Sequence, residues 1–238
     1  MENAGYTTLT RQSGLLSEMR IVANNIANAS TTGFRQEGIV FSEYIRELGS
    51  DDASLSMASA QARNTSLLQG GLSQTGSAFD LAIEGAGFFQ IETPEGPRLT
   101  RDGHFTPNEV GDLVTDTGQR VLDAGGAPVF VPPGLGAIGI SADGTVSAGG
   151  RPIGQIGLVL PAEGADLIRE EGTRFRVEGE VAPAEEGRIL QGFLEGSNVN
   201  PLLQVSRMIE VQRAYELGQS FLDKEDERIR SILRVLGQ

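Results

Sequence analysis

From Glu195 to Gln238 the chain reads EGSNVNPLLQVSRMIEVQRAYELGQSFLDKEDERIRSILRVLGQ, and this stretch decides the fold. It reads as one long helix. Asn200 is placed to cap it and Pro201 to take its first position, where a missing N–H costs nothing. Met208, Tyr215, Leu222, Ile229 and Leu236 recur every seven residues, with Val211 and Ile232 on the adjoining row. A sustained seven-residue apolar repeat specifies a narrow seam facing another helix, not a broad globular core. The remaining faces are charged and self-paired. Asp226 and Arg230 stand four apart and Glu210 and Arg213 three apart, spacings that support an exposed helix weakly. Arg230 and Arg234 suit the negative end of the helix dipole, and Gly237 can end the helix. At about 1.5 Å per residue the element is about 55 Å long, longer than a small domain is wide. It needs a partner.

The other end of the chain offers a similar surface. Glu2 to about Ser30 read as a second amphipathic helix, with Leu9, Leu16 and Ala23 recurring at seven. Met19 and Ile26 lie on the adjacent row, and Leu15 and Val22 widen the stripe. Thr31, Thr32 and Gly33 break it, Gly33 as a left-handed cap. Two such helices either close as a hairpin within one chain or leave part of each seam for other chains. A pair alone leaves apolar surface wet, which favours further chains.

Between the helices the pattern changes twice. Phe34, Ile39, Val40, Phe41, Tyr44 and Ile45 suggest a short packed element. Gly49 to Asn64 is too poor in large apolar groups for a core of its own and reads as a linker or loop. From Phe79 to Phe193 short apolar runs alternate with glycine and proline, as in a mainly antiparallel β domain. Asp102-Gly103 and Asp143-Gly144 are hairpin-turn dipeptides. The expected organisation is α+β: an N-terminal helix over 1–33, a connecting segment over 34–76, a β domain over 77–193, and a C-terminal helix over 194–238.

Charge narrows the functions. The net charge of the 238 residues is -13, with +1 in residues 1–36 and zero in 201–238, so the middle carries the excess. Nucleic-acid binding rests on neutralising phosphate, and this balance argues against it. Near-neutral ends and an acidic middle fit ends that pack on many chains and a middle that faces water. No run approaches the roughly 20 apolar residues of a membrane span, and no apolar leader opens the chain. Without cysteine, disulfides and thiolate metal sites are excluded.

Catalytic and cofactor chemistry finds no footing. Gly85-Ala86-Gly87-Phe88 begins like a dinucleotide fingerprint but lacks its third glycine and following helix. His104 is the only histidine and follows a turn, so histidine metal sites or triads lack partners. Carboxylates are abundant but none stands in a glycosidase or calcium-loop pattern; Asp223 to Glu227 lie inside the helix. No enzyme, cofactor or metal is expected.

Several blocks carry a family resemblance. Asn24-Asn25-Ile26-Ala27-Asn28 followed by Thr32-Gly33-Phe34-Arg35 resembles the N-terminal signature of bacterial flagellar axial proteins, the rod and hook family. Gln69-Gly70-Gly71-Leu72, Asp80 to Gly85 with Gly87-Phe88-Phe89, and Thr100-Arg101-Asp102-Gly103 resemble its next blocks. Gly111 with Leu113-Val114-Thr115, Asp143 to Val146 and Ile153 to Ile156 follow. Leu194-Glu195, Ser197-Asn198-Val199, Met208-Ile209 and Gln212-Arg213-Ala214-Tyr215-Glu216 are similar to the C-terminal block. The resemblance covers nearly the whole chain. Met1-Glu2-Asn3 with Tyr6, Leu9 and Arg11-Gln12 most resembles the proximal rod members, with the distal rod members close behind. Phe79, where an aliphatic residue is usual, and Gly218 inside the helix depart from the pattern.

The resemblance implies a structural subunit of the basal-body rod in the periplasm, exported by the flagellar type III route. Its implied partners are copies of itself, other proximal and distal rod proteins, and transiently the export apparatus. Its terminal helices would form an inner coiled-coil layer through Leu9, Leu16, Met19, Ala23, Asn24, Asn25, Ile26 and Asn28 on one side. Met208, Val211, Gln212, Tyr215, Leu222, Ile229, Ile232 and Leu236 would serve on the other. The three asparagines either bond across that interface or finish the helix. The competing class is a β-rich carbohydrate-binding module with a helical stalk.

Overall fold

The computed structural model describes residues 2–46, 55–134 and 136–236, with side chains for 7–40, 64–134, 136–232 and 234. The chain forms two compact units. One contains residues 1–27, 37–66 and 200–238, the other 28–36 and 67–199.

The helical unit is built from α1 (Glu2–Ala27), β1 (Glu37–Arg46), β2 (Leu55–Thr65) and α2 (Pro201–Leu236). Asn200 Oδ1 accepts from the N–H groups of Leu202 and Leu203 at 3.1 and 3.2 Å, so the expected cap is in place. The helix begins at Pro201; residues 196–200 before it are irregular, and Phe193–Glu195 form a strand. Gly237 lies outside the described residues. Asp226 and Arg230 pair at 2.7 Å as their spacing predicts. Glu210 instead takes Arg207 at 3.0 Å, the i−3 cation rather than Arg213. β1 and β2 form an antiparallel ribbon, Glu37 opposite Thr65 and Arg46 opposite Leu55, with a bulge at Val40/Phe41. Residues 55–64 are therefore strand where the composition suggested linker. Residues 49–54 of that expected linker lie outside the described residues. A sequence poor in large side chains makes no core of its own, but backbone pairing to β1 and packing along α1 supply what it lacks.

The β unit contains β3 (Leu72–Gln74), β4 (Leu81–Glu84), β5 (Phe88–Thr93), β6 (Gly96–Thr100), β7 (Phe105–Pro107) and β8 (Leu113–Thr115). It continues with β9 (Val121–Leu122), β10 (Ile138–Ile140), β11 (Thr145–Ala148), β12 (Arg151–Gln155) and β13 (Leu158–Pro161). β14 (Asp166–Arg169), β15 (Arg174–Glu178), β16 (Val181–Pro183), β17 (Arg188–Gln191) and β18 (Phe193–Glu195) complete it. All pairings are antiparallel, as expected. The largest sheet runs β14-β15-β6-β5-β13-β16, with β9 also on β5.

β5 is the spine. Successive side chains of a strand point to opposite faces, so Phe88 and Phe89 enter two different cores. Phe89 packs edge-to-face on Phe105 at 5.2 Å within a cluster that includes Leu81, Ile83, Val121 and Ile156. Phe88 meets Phe175 at 5.7 Å beside Leu99 and Val159. The unit closes on itself at its two ends: β4 pairs with β17, and β3 with β18.

Of the two Asp-Gly dipeptides, only Asp143-Gly144 makes a hairpin, joining β10 to β11 with Gly144 at φ +85°. Asp102-Gly103 links β6 to β7, strands that pair elsewhere, and Gly103 is not left-handed. It is needed for proximity. A Cβ there would fall inside the Leu81 carbonyl, whose residue hydrogen-bonds Gly103 from its N–H at 2.9 Å. Gly103→Ala should therefore destabilise the β unit by about 2–3 kcal/mol through overpacking, read as a lowered denaturant midpoint. Asp143→Asn keeps an acceptor for the Thr145 N–H but loses the one for the Thr145 hydroxyl, so it should lower that midpoint by less than Gly103→Ala does.

Candidate assembly interface

α1 and α2 run antiparallel, and polar side chains fix their register. Gln12 Nε2 donates to the Tyr215 carbonyl at 2.9 Å, and Arg207 donates to Glu18 at 2.6 Å. Asn25 Nδ2 donates to Gln204 Oε1 at 3.2 Å. The Asn25 amide also pairs with the backbone of Glu37, donating to its carbonyl at 2.8 Å and accepting from its N–H at 2.9 Å. Gln12, Glu18, Asn25 and Gln204 are all buried, with Ile21, Val22 and Val211 among them. Gly218 leaves room for the Gln12 amide; a Cβ there would strike it. The glycine is a packing requirement of the helix pair.

On α2 the row facing α1 is the expected one: Val211 is buried and Met208, Tyr215 and Leu222 are half-buried. On α1 it is displaced by one residue. Leu15 and Val22 face inward, whereas Leu9, Leu16 and Ala23 are exposed and Met19 and Ile26 half-buried. Asn25 serves contacts inside the chain, bridging α1, β1 and α2. Asn24 reaches Glu37 at 3.5 Å, and Asn28 accepts from the Thr31 hydroxyl at 3.1 Å in the turn after the helix. Gln212 is exposed. Ile229 and Ile232 continue the α2 row and are 48% and 41% exposed, while the side chain of Leu236 lies outside the described residues. A second apolar set, Leu202, Val205, Ile209, Leu217 and Phe221, is exposed elsewhere on α2.

Within the β unit lies a feature that periodicity does not reveal. Glu195, fully buried, accepts from Arg35 at 2.8 Å on one carboxylate oxygen and from Arg101 at 3.1 Å on the other. The Gly70 N–H adds a 2.7 Å bond to the first oxygen, and the Gly33 N–H takes the Glu195 carbonyl at 2.7 Å. Arg101 also donates to the carbonyls of Ile83 and Gly85, at 3.3 and 2.6 Å. Arg35 donates to the Leu68 carbonyl. Burial lowers both guanidinium pKa values, Arg101 to about 10, against the pull of Glu195. Both stay charged at neutral pH. Arg169 stacks between Phe34 at 4.4 Å and Phe175 at 4.6 Å, a cation between two aromatic faces. The only sequence signal for this cluster was charge placed inside otherwise apolar or glycine-rich blocks.

His104 carries an imidazole with a raised pKa. Its Nδ1 lies 2.6 Å from Asp80 and its Nε2 3.6 Å from Asp116. The hydrogen bond to Asp80 raises its pKa, desolvation opposes, and the charges of Asp116, Asp80 and Asp102 add to the rise.

These features define a class: a structural subunit whose β unit is closed by buried charge and whose helical unit carries unfilled apolar rows. Three family models match the chain. They are a flagella basal body rod protein segment over residues 6–35, a flagellar hook protein FlgE/F/G D1 domain over 82–148, and a flagellar basal body rod FlgEFG C-terminal segment over 190–235. A flagellar basal-body rod protein FlgF of Caulobacter vibrioides is 41% identical, covering 100% of this chain and 99% of the relative. One of Mesorhizobium japonicum, also named FlgF, is 38% identical over 98% of both chains. A flagellar basal-body rod protein FlgG of Bacillus subtilis is 27% identical over 97% of both. The chain belongs to the family of flagellar basal-body rod proteins, which are structural and not enzymes. Arg35, Arg101 and Glu195 fall one in each of the three matched segments.

Removing the shared carboxylate leaves two buried cations facing each other, so Glu195→Gln should destabilise the β unit by about 3–5 kcal/mol in chemical denaturation. The His104 pKa is raised on folding, so its stabilisation is full below the unfolded value of about 6.5 and fades as pH climbs through the folded value. The melting temperature of the β unit should fall as pH rises above about 6.5, and His104→Gln should flatten that slope.

Proposed function

We propose that this chain is a structural subunit of the proximal rod of the flagellar basal body, and that its terminal helices build an inner coiled-coil layer with those of neighbouring subunits. The helical unit is the assembling part. Leu9, Leu16 and Ala23 on α1, and Ile229, Ile232 and Leu236 at the end of α2, are its expected contact residues. The β unit faces outward in the periplasm. Partners are further copies and the other rod proteins, and the unfolded chain passes through the type III export apparatus. A chain without cysteine suits that route into an oxidising space.

The observation that carries this reading is the set of exposed apolar rows on both helices. Contiguous apolar surface left open on a folded chain marks an interaction face. Higher identity to the FlgF relatives than to the FlgG relative supports the proximal over the distal position. A contact between unlike faces that does not close into a ring propagates as a helix of subunits.

Leu9→Asp and Ile209→Asp place a charge on exposed apolar positions. Each should leave the melting temperature of the isolated chain nearly unchanged, since surface substitutions usually stay within about 0.5 kcal/mol. Each should nevertheless abolish recovery of the protein in basal bodies, and swimming with it. Normal swimming of both variants would refute the role of these rows.

A further inference from the structure

Between α1 and α2 lies a groove of about 390 Å³, lined by Thr8, Gln12, Leu15, Leu217, Gly218 and Phe221, with Arg11 on its rim. Its lining is mainly apolar, and Leu217 and Phe221 stand 72% and 45% exposed at its edge. Gly218 opens its floor, where a larger residue would fill the space and displace Gln12. The register set by Gln12 with Tyr215 and Glu18 with Arg207 puts the first turn of α1 opposite about residue 225. Beyond that point α2 continues to Leu236, and Ile229 and Ile232 carry the inward row onward, 48% and 41% exposed among the described residues.

We propose that this tail of α2, from one copy, seats in the α1–α2 groove of the next copy. The inference rests on the structural reading above and specifies which face meets which. Four features select a second copy's tail as the occupant. The tail is the continuation of the very row that packs α1 within the chain, so it is already shaped for a helix surface of this kind. Residues 226–236 span about 16 Å, enough to cover a groove whose walls, residues 8–15 and 214–221, run about 10 Å. Arg11 makes no ion pair among the described residues, and Asp226 flanks the tail row with only an exposed, weak pair to Arg230. The tail also grows out of one wall of its own groove, so a straight helix cannot fold back into it. Groove and tail are different surfaces of one molecule. Joined head to tail they make an open chain of subunits, not a closed pair.

The chain contains no cysteine, so engineered pairs report without background. Leu217→Cys and Ile232→Cys, combined in the full-length protein, are expressed in cells; basal bodies are isolated, oxidised and run without reductant. The expected result is a ladder of covalent multimers beyond the dimer, absent from either single variant. A product that stops at the dimer means reciprocal exchange of tails and overturns the open chain. Cross-linking to a different protein overturns the second copy as occupant. Absence of any cross-link, with the protein present in the basal-body fraction, overturns the contact itself while the rod assignment stands. Wild-type protein missing from that fraction refutes the rod assignment instead. Should the double variant fail to incorporate, the two single variants are co-expressed; the contact then appears as a dimer formed only when both are present, and its absence refutes the proposal.

Discussion

One carboxylate between two guanidiniums governs the β unit. Glu195 lies at the end of the last strand, Arg35 on the segment leading into the unit, and Arg101 at the link after β6. The cluster therefore joins the beginning, the interior and the end of this part of the chain at a single buried point. Desolvating three charges is expensive, and a buried ion pair seldom stabilises more than well-packed apolar groups would. What it supplies is direction. An apolar core accepts many arrangements of similar side chains, whereas a carboxylate flanked by two cations and the Gly70 N–H has one. The glycines nearby follow from this crowding: a Cβ on Gly33 would strike the backbone of Arg101 and Asp102, and one on Gly70 the backbone of Gly196.

The helical unit distributes polar and apolar groups in the reverse of the usual order. Its internal contact is held in register by Gln12, Glu18, Asn25 and Gln204, while Leu202, Leu217 and Phe221 face outward. A single buried amide in a helix pair fixes register at some cost in stability. Asn25 does so while also completing the backbone of β1 at Glu37. Apolar surface removed from water contributes roughly 25 cal/mol per Å², so the exposed Leu202, Leu217 and Phe221 hold driving force that contacts within the chain do not use.

That inversion explains what could be read from the sequence. The α2 row was legible because Met208, Val211, Tyr215 and Leu222 are apolar and inward, so period and packing agree. On α1 the inward positions include Gln12, Glu18 and Asn25, and a search for apolar periodicity slides one residue to Leu9, Leu16 and Ala23. The β core was visible as short apolar runs, yet the function of Asp102-Gly103 was not, because turn geometry and close approach both select glycine. Residues 55–64 read as linker because their strand character comes from a neighbour's backbone. The ion cluster joins residues up to 160 positions apart, a distance over which no local pattern operates.

Surface ion pairs decorate the outer faces of α2, Glu225 with Arg228 and Asp226 with Arg230 among them. Exposed pairs of this kind are worth about 0–1 kcal/mol and cannot by themselves hold a helix of 36 residues. Helices in water owe most of their stability to packing of an apolar face. Contact with α1 supplies that packing only as far as about residue 225, and among the described residues the turns beyond show local pairs such as Asp226 with Arg230. A helix extended past α1, the partner it has among the described residues, is stable in its full length when something else covers the row that Ile229 and Ile232 prolong. The incomplete burial is thus a property of the single chain that association corrects, and the charged flanks keep the surface hydrated until it does.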